Sequence, residues 1–295
     1  MKFVNLFLSA LSLISATYSG NVKWAGFRYS TSGVQKSFGY TPDAANISEY
    51  VQALKQNLDE DAKGTLLLTV GRESNKKYCS FEFPNSNSTN LKNVKFSNKD
   101  KFEDILSKCD ENDINVWLVV EPGSNDLVDL ANIVLDQYGN HESVKGFGVD
   151  LEWWNREKSN NGQALTDEDA ESVVKAIRER NENYTFLAKH WKISFMPKEY
   201  TNGMIYVDTA QSFRNRNQMT NELSTWADTF PENPVMFEVG YQSDKELWNN
   251  KPVEFANVIA DAASDFNDNV GIIWTDFTLK EALEMIKYFG YKNKY

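Results

Sequence analysis

Along the chain, short apolar runs alternate with longer stretches in which apolar residues recur every three or four positions. The runs at 22–28, 65–71, 115–120, 144–152, 191–196, 204–208, 234–239 and 270–274 predict eight strands. The stretches at 47–58, 101–108, 126–138, 167–180, 218–230, 252–266 and 279–289 predict helices. Thr166, three residues before Asp169, opens its helix as a capping box, with the hydroxyl placed to satisfy a first-turn amide. The link after Met196 carries no clear helix, so one βα unit is irregular.

Most of these strands are apolar at successive positions rather than at alternate ones, so both of their faces are buried. That is the pattern of a parallel sheet covered by helices. Eight strands in alternation with helices, with no Gly/Ser-rich linker between them, predict a single (β/α)8 TIM barrel over residues 20–295. The longest insertion, 72–98, follows the second strand and is rich in Ser, Asn and Lys. It is expected to project over the barrel mouth.

The first residues change the picture of location. Lys2, the apolar stretch 3–13 and the small residues Ser15, Ala16, Ser19 and Gly20 predict an export signal over 1–19. The stretch is shorter than the roughly 20 residues that span a bilayer, and no later one is apolar enough, so a secreted protein is expected. The two cysteines, Cys79 and Cys109, are expected to pair in an oxidising compartment, with a free pair as the alternative. Sequons at Asn46, Asn87 and Asn183 are compatible with export. A net charge of −11 makes nucleic acid and anionic membranes poor partners, because a phosphate-binding surface needs clustered Lys and Arg. A monomer is expected.

Candidate chemistry lies at the strand ends, which in a barrel feed one mouth. They carry Arg28, Arg72, Glu121, Asp150 with Glu152, Asp208, Glu238 and, just past Trp274, Asp276. Any one of these could be the first solvated residue of a loop, but seven of eight ends carrying charge point to a shared cleft. In 144–152, Gly146, Gly148, Asp150 and Glu152 share the face opposite Phe147, Val149 and Leu151. The acids therefore point inward, roughly 6.6 Å apart along the strand. Partial burial would raise one of them toward neutral pH. The alternative is a buried pair neutralised by Arg28 or Arg72. Trp153, Trp154, Trp24, Trp274 and Tyr241 supply flat faces against which sugar rings lie, although aromatics also fill cores. Trp274 is the leading candidate for a sugar-stacking floor.

On these residues the chain resembles family 18 glycoside hydrolases, the chitinases and endo-β-N-acetylglucosaminidases. That family is built on (β/α)8 barrels whose fourth strand carries Asp-x-x-Asp-x-Asp-x-Glu. Residues 144–152 keep the last Asp and the Glu, while the first two Asp positions fall on Lys145 and Gly148. Residues 204–208 resemble that family's Met-x-Tyr-Asp with one residue inserted, and 271–274 its closing Gly-x-x-x-Trp with one fewer. The resemblance implies that Glu152 protonates the glycosidic oxygen while Asp150 orients a substrate acetamido group, whose carbonyl oxygen attacks the anomeric carbon. Tyr206 or Asp208 would assist the acetamido, and Trp274 would floor the cleft. No cofactor is implied.

A second resemblance is to the clan of retaining glycosidases that includes cellulases and β-1,3-glucanases. These place the acid/base Glu after strand four and a nucleophilic Glu at the end of strand seven. Residues 235–243 look like that strand-seven segment, which makes Glu152 and Glu238 the pair and a β-glucan the substrate. The clan's Asn before the strand-four Glu is Leu151 here. In both cases Glu238, Tyr241, Asp208, Trp274 and Asp276 would line one cleft with Glu121 and Arg28. The incomplete motif also fits a third reading, a catalytically silent chitinase-like barrel that binds glycan. With His141 and His190 the only histidines, a His-rich metal site is excluded, although an all-oxygen calcium site is not. There is no Gly-x-Ser-x-Gly and no Gly-rich phosphate loop. His190 and Trp191 are expected to enter the fifth strand.

Overall fold

A computed structural model describes residues 22–85 and 91–292. The expected export signal over 1–19 and the sequon at Asn87 lie outside the described residues. Among the described residues there are ten strands: β1 (Val22–Tyr29), β2 (Lys63–Ser74), β3 (Tyr78–Phe81), β4 (Val94–Phe96), β5 (Asn115–Val120), β6 (Val144–Asp150), β7 (Thr185–His190), β8 (Met204–Asp208), β9 (Val235–Val239) and β10 (Val270–Trp274). Eight of them pair in parallel in the order β1-β2-β5-β6-β7-β8-β9-β10, and β10 returns to β1. The sheet is closed and the helices lie outside it, so the chain folds as a single (β/α)8 barrel, as its pattern predicts. β3 and β4 belong to the insertion: β3 folds back antiparallel on the end of β2, and β4 runs parallel beside β3.

Strand alternation divides the apolar side chains into two cores. Trp24, Leu67, Trp117, Val119, Leu187, Ile205, Val207, Met236 and Ile273 fill the barrel axis. The intervening residues, among them Phe147, Phe186, Tyr206, Phe237, Ile272 and Trp274, face the helices in a second, larger core. Glycine is required where two strand backbones come closest. A Cβ on Gly26 would stand 1.7 Å from the Thr65 carbonyl oxygen across the β1–β2 seam.

The helices follow their predicted positions to within a few residues. The capping box is present: Thr166 Oγ1 accepts from the Asp169 amide at 3.1 Å and the Thr166 amide donates to the Asp169 carboxylate at 3.2 Å. A short helix at Thr31–Phe38 escapes the periodicity because of its Ser- and Gly-containing sequence. One strand is misassigned by the pattern. Residues 191–196 alternate apolar and polar, which imitates a half-buried strand, yet they form loop and a 3-10 turn at Ile193–Phe195. The fifth barrel strand is β7, whose Phe186-Leu187-Ala188 is buried on both faces and so reads as a short run.

Cys79 and Cys109 are both buried and free, which corrects the expected disulfide: one lies on β3 and the other on the helix Glu103–Glu111. Burial pushes the Cys109 thiol up to about 12, and Cys79 well above the ordinary thiol range. No helix among the described residues is long and apolar enough to cross a membrane.

Candidate active site

On five strands the inward-facing alternation carries a further side chain up into the barrel mouth. Val119 is followed in this way by Glu121, Gly148 by Asp150, Leu187 by Lys189, Val207 by Thr209 and Met236 by Glu238. Arg28 reaches the same layer from β1. These side chains line a cavity of about 720 Å³ together with Arg72, Glu73, Glu152, Trp153, Trp191, Gln211, Tyr241 and Phe277.

The floor is a charge cluster around Glu238. Lys189 Nζ stands 2.6 Å from its Oε2, Arg28 Nε 3.0 Å from its Oε1, and the Tyr241 hydroxyl donates to Oε1 at 2.8 Å. Lys189 also reaches Asp150 at 3.3 Å, and Arg28 pairs with Asp276 at 2.5 Å. Burial alone would raise the Glu238 carboxyl, but Lys189 and Arg28 outweigh it and hold the group below the usual carboxylate range. The same exchange raises Lys189, whose loss by burial is overcome by Glu238 and Asp150.

Glu152 is placed differently. β6 ends at Asp150 and the chain turns into a 3-10 turn, Leu151–Trp153, so Glu152 stands on a turn rather than on the strand. The loop behind packs onto this turn: the Gln163 amide donates to the Leu151 carbonyl at 3.3 Å, and Gly162, at φ +81°, lies where a Cβ would be 1.8 Å from that carbonyl oxygen. The Glu152 carboxyl has no hydrogen bond or ion pair among the described residues. Burial first, then the Asp150 charge, push it up to about 7. Glu121, under the side of the cleft, is also pushed up to about 7 by burial and Asp150, although its Oε2 accepts from the Glu73 amide at 2.8 Å.

Aromatic faces form the walls. Arg156 lies over Trp153 at 4.3 Å from the ring centroid, and Trp191 stacks on His190 at 4.0 Å. His190 ends β7 rather than entering it, and is itself stacked on Phe195, with Nδ1 accepting from the Lys192 amide at 2.9 Å. Its lowered basicity follows from burial.

Of the ten residues proposed from sequence, Arg28, Glu121, Asp150, Glu152, Glu238 and Tyr241 line the cleft. Tyr206, Asp208 and Trp274 do not, because their strand positions have the opposite parity and face the helices. Tyr206 stacks on Phe230 at 3.8 Å. Asp208 is fully buried, its carboxyl pushed well up by burial, with Oδ1 accepting from the Ala210 amide at 2.7 Å. Trp274 packs between Trp248 and Phe255 and donates to Thr278 Oγ1 at 3.0 Å. Asp276 lies behind Arg28, accepting from the Ser30 amide and hydroxyl at 2.7 Å each. Sequence reasoning missed Lys189 and Trp191, both hidden by the misassigned fifth strand. Counting two residues from Leu187 would have found the lysine. Among the described residues no group of three His, Cys, Asp or Glu side chains is placed to hold a metal ion.

No protein-family model and no curated protein sequence matches the chain. Solved structures do match in shape. A putative α-L-fucosidase from Bacteroides thetaiotaomicron is 9% identical with a TM-score of 0.56, over 92% of this chain and 96% of that one. A β-glucuronidase from an uncultured Clostridium is 12% identical with a TM-score of 0.48 over 86% of this chain. The carboxyl transferase domain of Rhizobium etli pyruvate carboxylase is 10% identical with a TM-score of 0.49 over 92%. This chain spans 43% of that β-glucuronidase and 46% of that transferase domain chain. At these identities the likeness is one of fold.

Proposed function

We propose that the protein is a glycoside hydrolase in which Glu152 is the general acid/base and Glu238 the carboxylate that attacks the anomeric carbon. The observation that carries this reading is the separation of two carboxyl groups in one cleft: Glu152 unpartnered and near 7, Glu238 held ionised by Lys189, Arg28 and Tyr241. Environments that push two carboxyls apart in this way assign the proton donor and the anion. Glu152 gives its proton to the glycosidic oxygen as the bond to the anomeric carbon breaks, and Glu238 bonds to that carbon. Glu152, now a carboxylate, takes a proton from water, whose oxygen displaces Glu238 and releases the sugar. Lys189, Arg28 and Tyr241 neutralise Glu238 again as it leaves. Trp153, Trp191 and Phe277 offer the flat faces that sugar rings cover. The substrate is a carbohydrate, one chain supplies every group used, and export rests on the apolar N-terminal stretch.

A second reading is favoured by exposure. The Glu238 side chain is only 1% exposed and that of Asp150 is 13%. Asp150 is thus the more open anion, and it would orient the 2-acetamido group of an N-acetylglucosamine unit so that the substrate's own oxygen attacks. Tyr206 and Trp274, the helpers implied by the family 18 resemblance, lie outside the cleft, and this weighs toward Glu238.

The test is a release assay over neutral and acidic glycans, among them chitin oligomers, N-glycans, peptidoglycan, β-glucans and uronic-acid glycosides, with wild type beside Glu152→Gln, Glu238→Gln and Asp150→Asn. One substrate class should be cleaved, with Glu152→Gln lowering the rate about 10²- to 10⁴-fold. Complete loss in Glu238→Gln supports the covalent route; retained activity there with loss in Asp150→Asn supports substrate assistance. Calorimetric glycan binding without any cleavage would replace the enzyme by a lectin.

A further inference from the structure

We infer that Arg72 is a specificity residue that takes a carboxylate on the bound sugar, so that the cleft is built for a uronic-acid glycoside; the inference rests on the hydrolase reading above.

The β2 backbone delivers this side chain to the cleft by an irregularity. Thr69 pairs with Val119 on β5, but it is Gly71 that pairs with Val120, so two residues of β2 oppose one of β5. Such a bulge reverses the faces of the residues that follow it. Val70 stays with the helix-facing core, a Cβ on Gly71 would meet Cys79 and Phe81, and Arg72 turns to the cavity. Without the extra residue, the arginine would point away from the mouth.

The charges of the floor are committed in a way that leaves Arg72 over. Arg28 is shared between Glu238 and Asp276, and Lys189 between Glu238 and Asp150. Glu73 accepts from the Lys76 amide and lies 3.6 Å from Arg156. Arg72 has no hydrogen bond or ion pair among the described residues. Its charge is felt by Glu121, which is nevertheless pushed up to about 7 and so does not hold a full negative charge at neutral pH. A planar guanidinium with its donors free, beside a cluster that contains Glu152 and Glu238, matches a planar carboxylate bidentately. A neutral hydroxyl would leave the positive charge uncompensated. The chain's net charge of −11 repels anions at long range, so the recognition is local to this wall.

Calorimetry with glucuronate and galacturonate against glucose and galactose tests the site without requiring turnover. Wild type should bind at least one uronate about tenfold or more tighter than its neutral counterpart, a ratio that Arg72→Gln brings close to one and Arg72→Lys restores in part. Uronates bound no better than neutral sugars, or a preference that survives in Arg72→Gln, would overturn the inference. A parallel assay compares p-nitrophenyl glucosides with glucuronides and galactosides with galacturonides, in both anomers. The uronide-to-neutral ratio of kcat/KM should fall about ten- to hundredfold in Arg72→Gln, and an unchanged ratio counts against Arg72. Selective uronate binding with no glycoside cleaved would sink the hydrolase reading while leaving the Arg72 site in place. Among the described residues Arg72 makes no hydrogen bond or ion pair, so an unchanged melting temperature should accompany these changes.

Discussion

Lys189 and Glu238 form an ion pair at 2.6 Å in which neither side chain is more than 2% exposed. Removing Lys189 takes one of two cationic partners from Glu238 and leaves its buried carboxylate to Arg28 and Tyr241 alone. Lys189→Met should therefore cost about 3 to 5 kcal/mol of stability in urea unfolding, whereas the double replacement Lys189→Met with Glu238→Met should recover part of that loss. The pair also sets pH limits. Glu238 is lowered in the folded state, so its stabilisation is present above the unfolded carboxylate value near 4.3 and is lost as pH falls through the folded value. Lys189 is raised, so its contribution is present below about 10.4 and is lost as pH rises through the folded value.

Activity should follow the protonation of Glu152. The basic limb of kcat/KM against pH should fall near 7, with Glu121 titrating in the same range because burial and the Asp150 charge raise it too. Asp150→Asn removes the like charge that helps raise Glu152, so any residual activity should show this limb at lower pH. A limb unmoved by that substitution would assign it to another group.

Gly162 and Gly39 share nearly the same backbone angle but not the same surroundings. Gly39, at φ +82°, has open space for 4 Å around the place a Cβ would take, whereas at Gly162 the Leu151 carbonyl blocks it. Gly39→Ala should cost only the left-handed penalty, about 1 to 2 kcal/mol, with kcat unchanged. Gly162→Ala should cost more than that and lower kcat as well, because the turn it displaces carries Glu152. Equal effects on kcat would remove Gly162 from the support of the site.

The two tryptophans should part in the same manner. Trp274→Ala opens a hole in the helix-facing core and should cost about 3 to 5 kcal/mol. Trp191→Ala, on the cleft wall, should change stability little and weaken glycan binding by up to about tenfold, read as KM or a calorimetric Kd.

Much of the architecture is legible in the sequence because parallel barrel strands are apolar on both faces and therefore stand out as runs. The charged ends of those runs point to the right mouth. Which ends face into it is legible only through alternation, which along 144–152 turns Asp150 inward. On β8 and β10 the same alternation places Val207 and Ile273 on the axis and so turns Tyr206, Asp208 and Trp274 outward. Lys189 is hidden for another reason: a lysine inside a short strand lowers its apolar signal, and the alternating Trp191–Met196 segment draws the strand to itself. The direction of the Arg72 side chain is beyond sequence reading altogether, since it depends on a bulge that only pairing with β5 defines.

The separation of the two carboxyls is open to direct observation, without any substrate. Carboxyl ¹³C shifts of glutamate-labelled protein, assigned with Glu152→Gln and Glu238→Gln, should show Glu152 titrating near 7 and Glu238 still ionised below the ordinary glutamate value of about 4.3. A Glu238 that takes up its proton at higher pH than Glu152 would contradict the assignment of donor and anion.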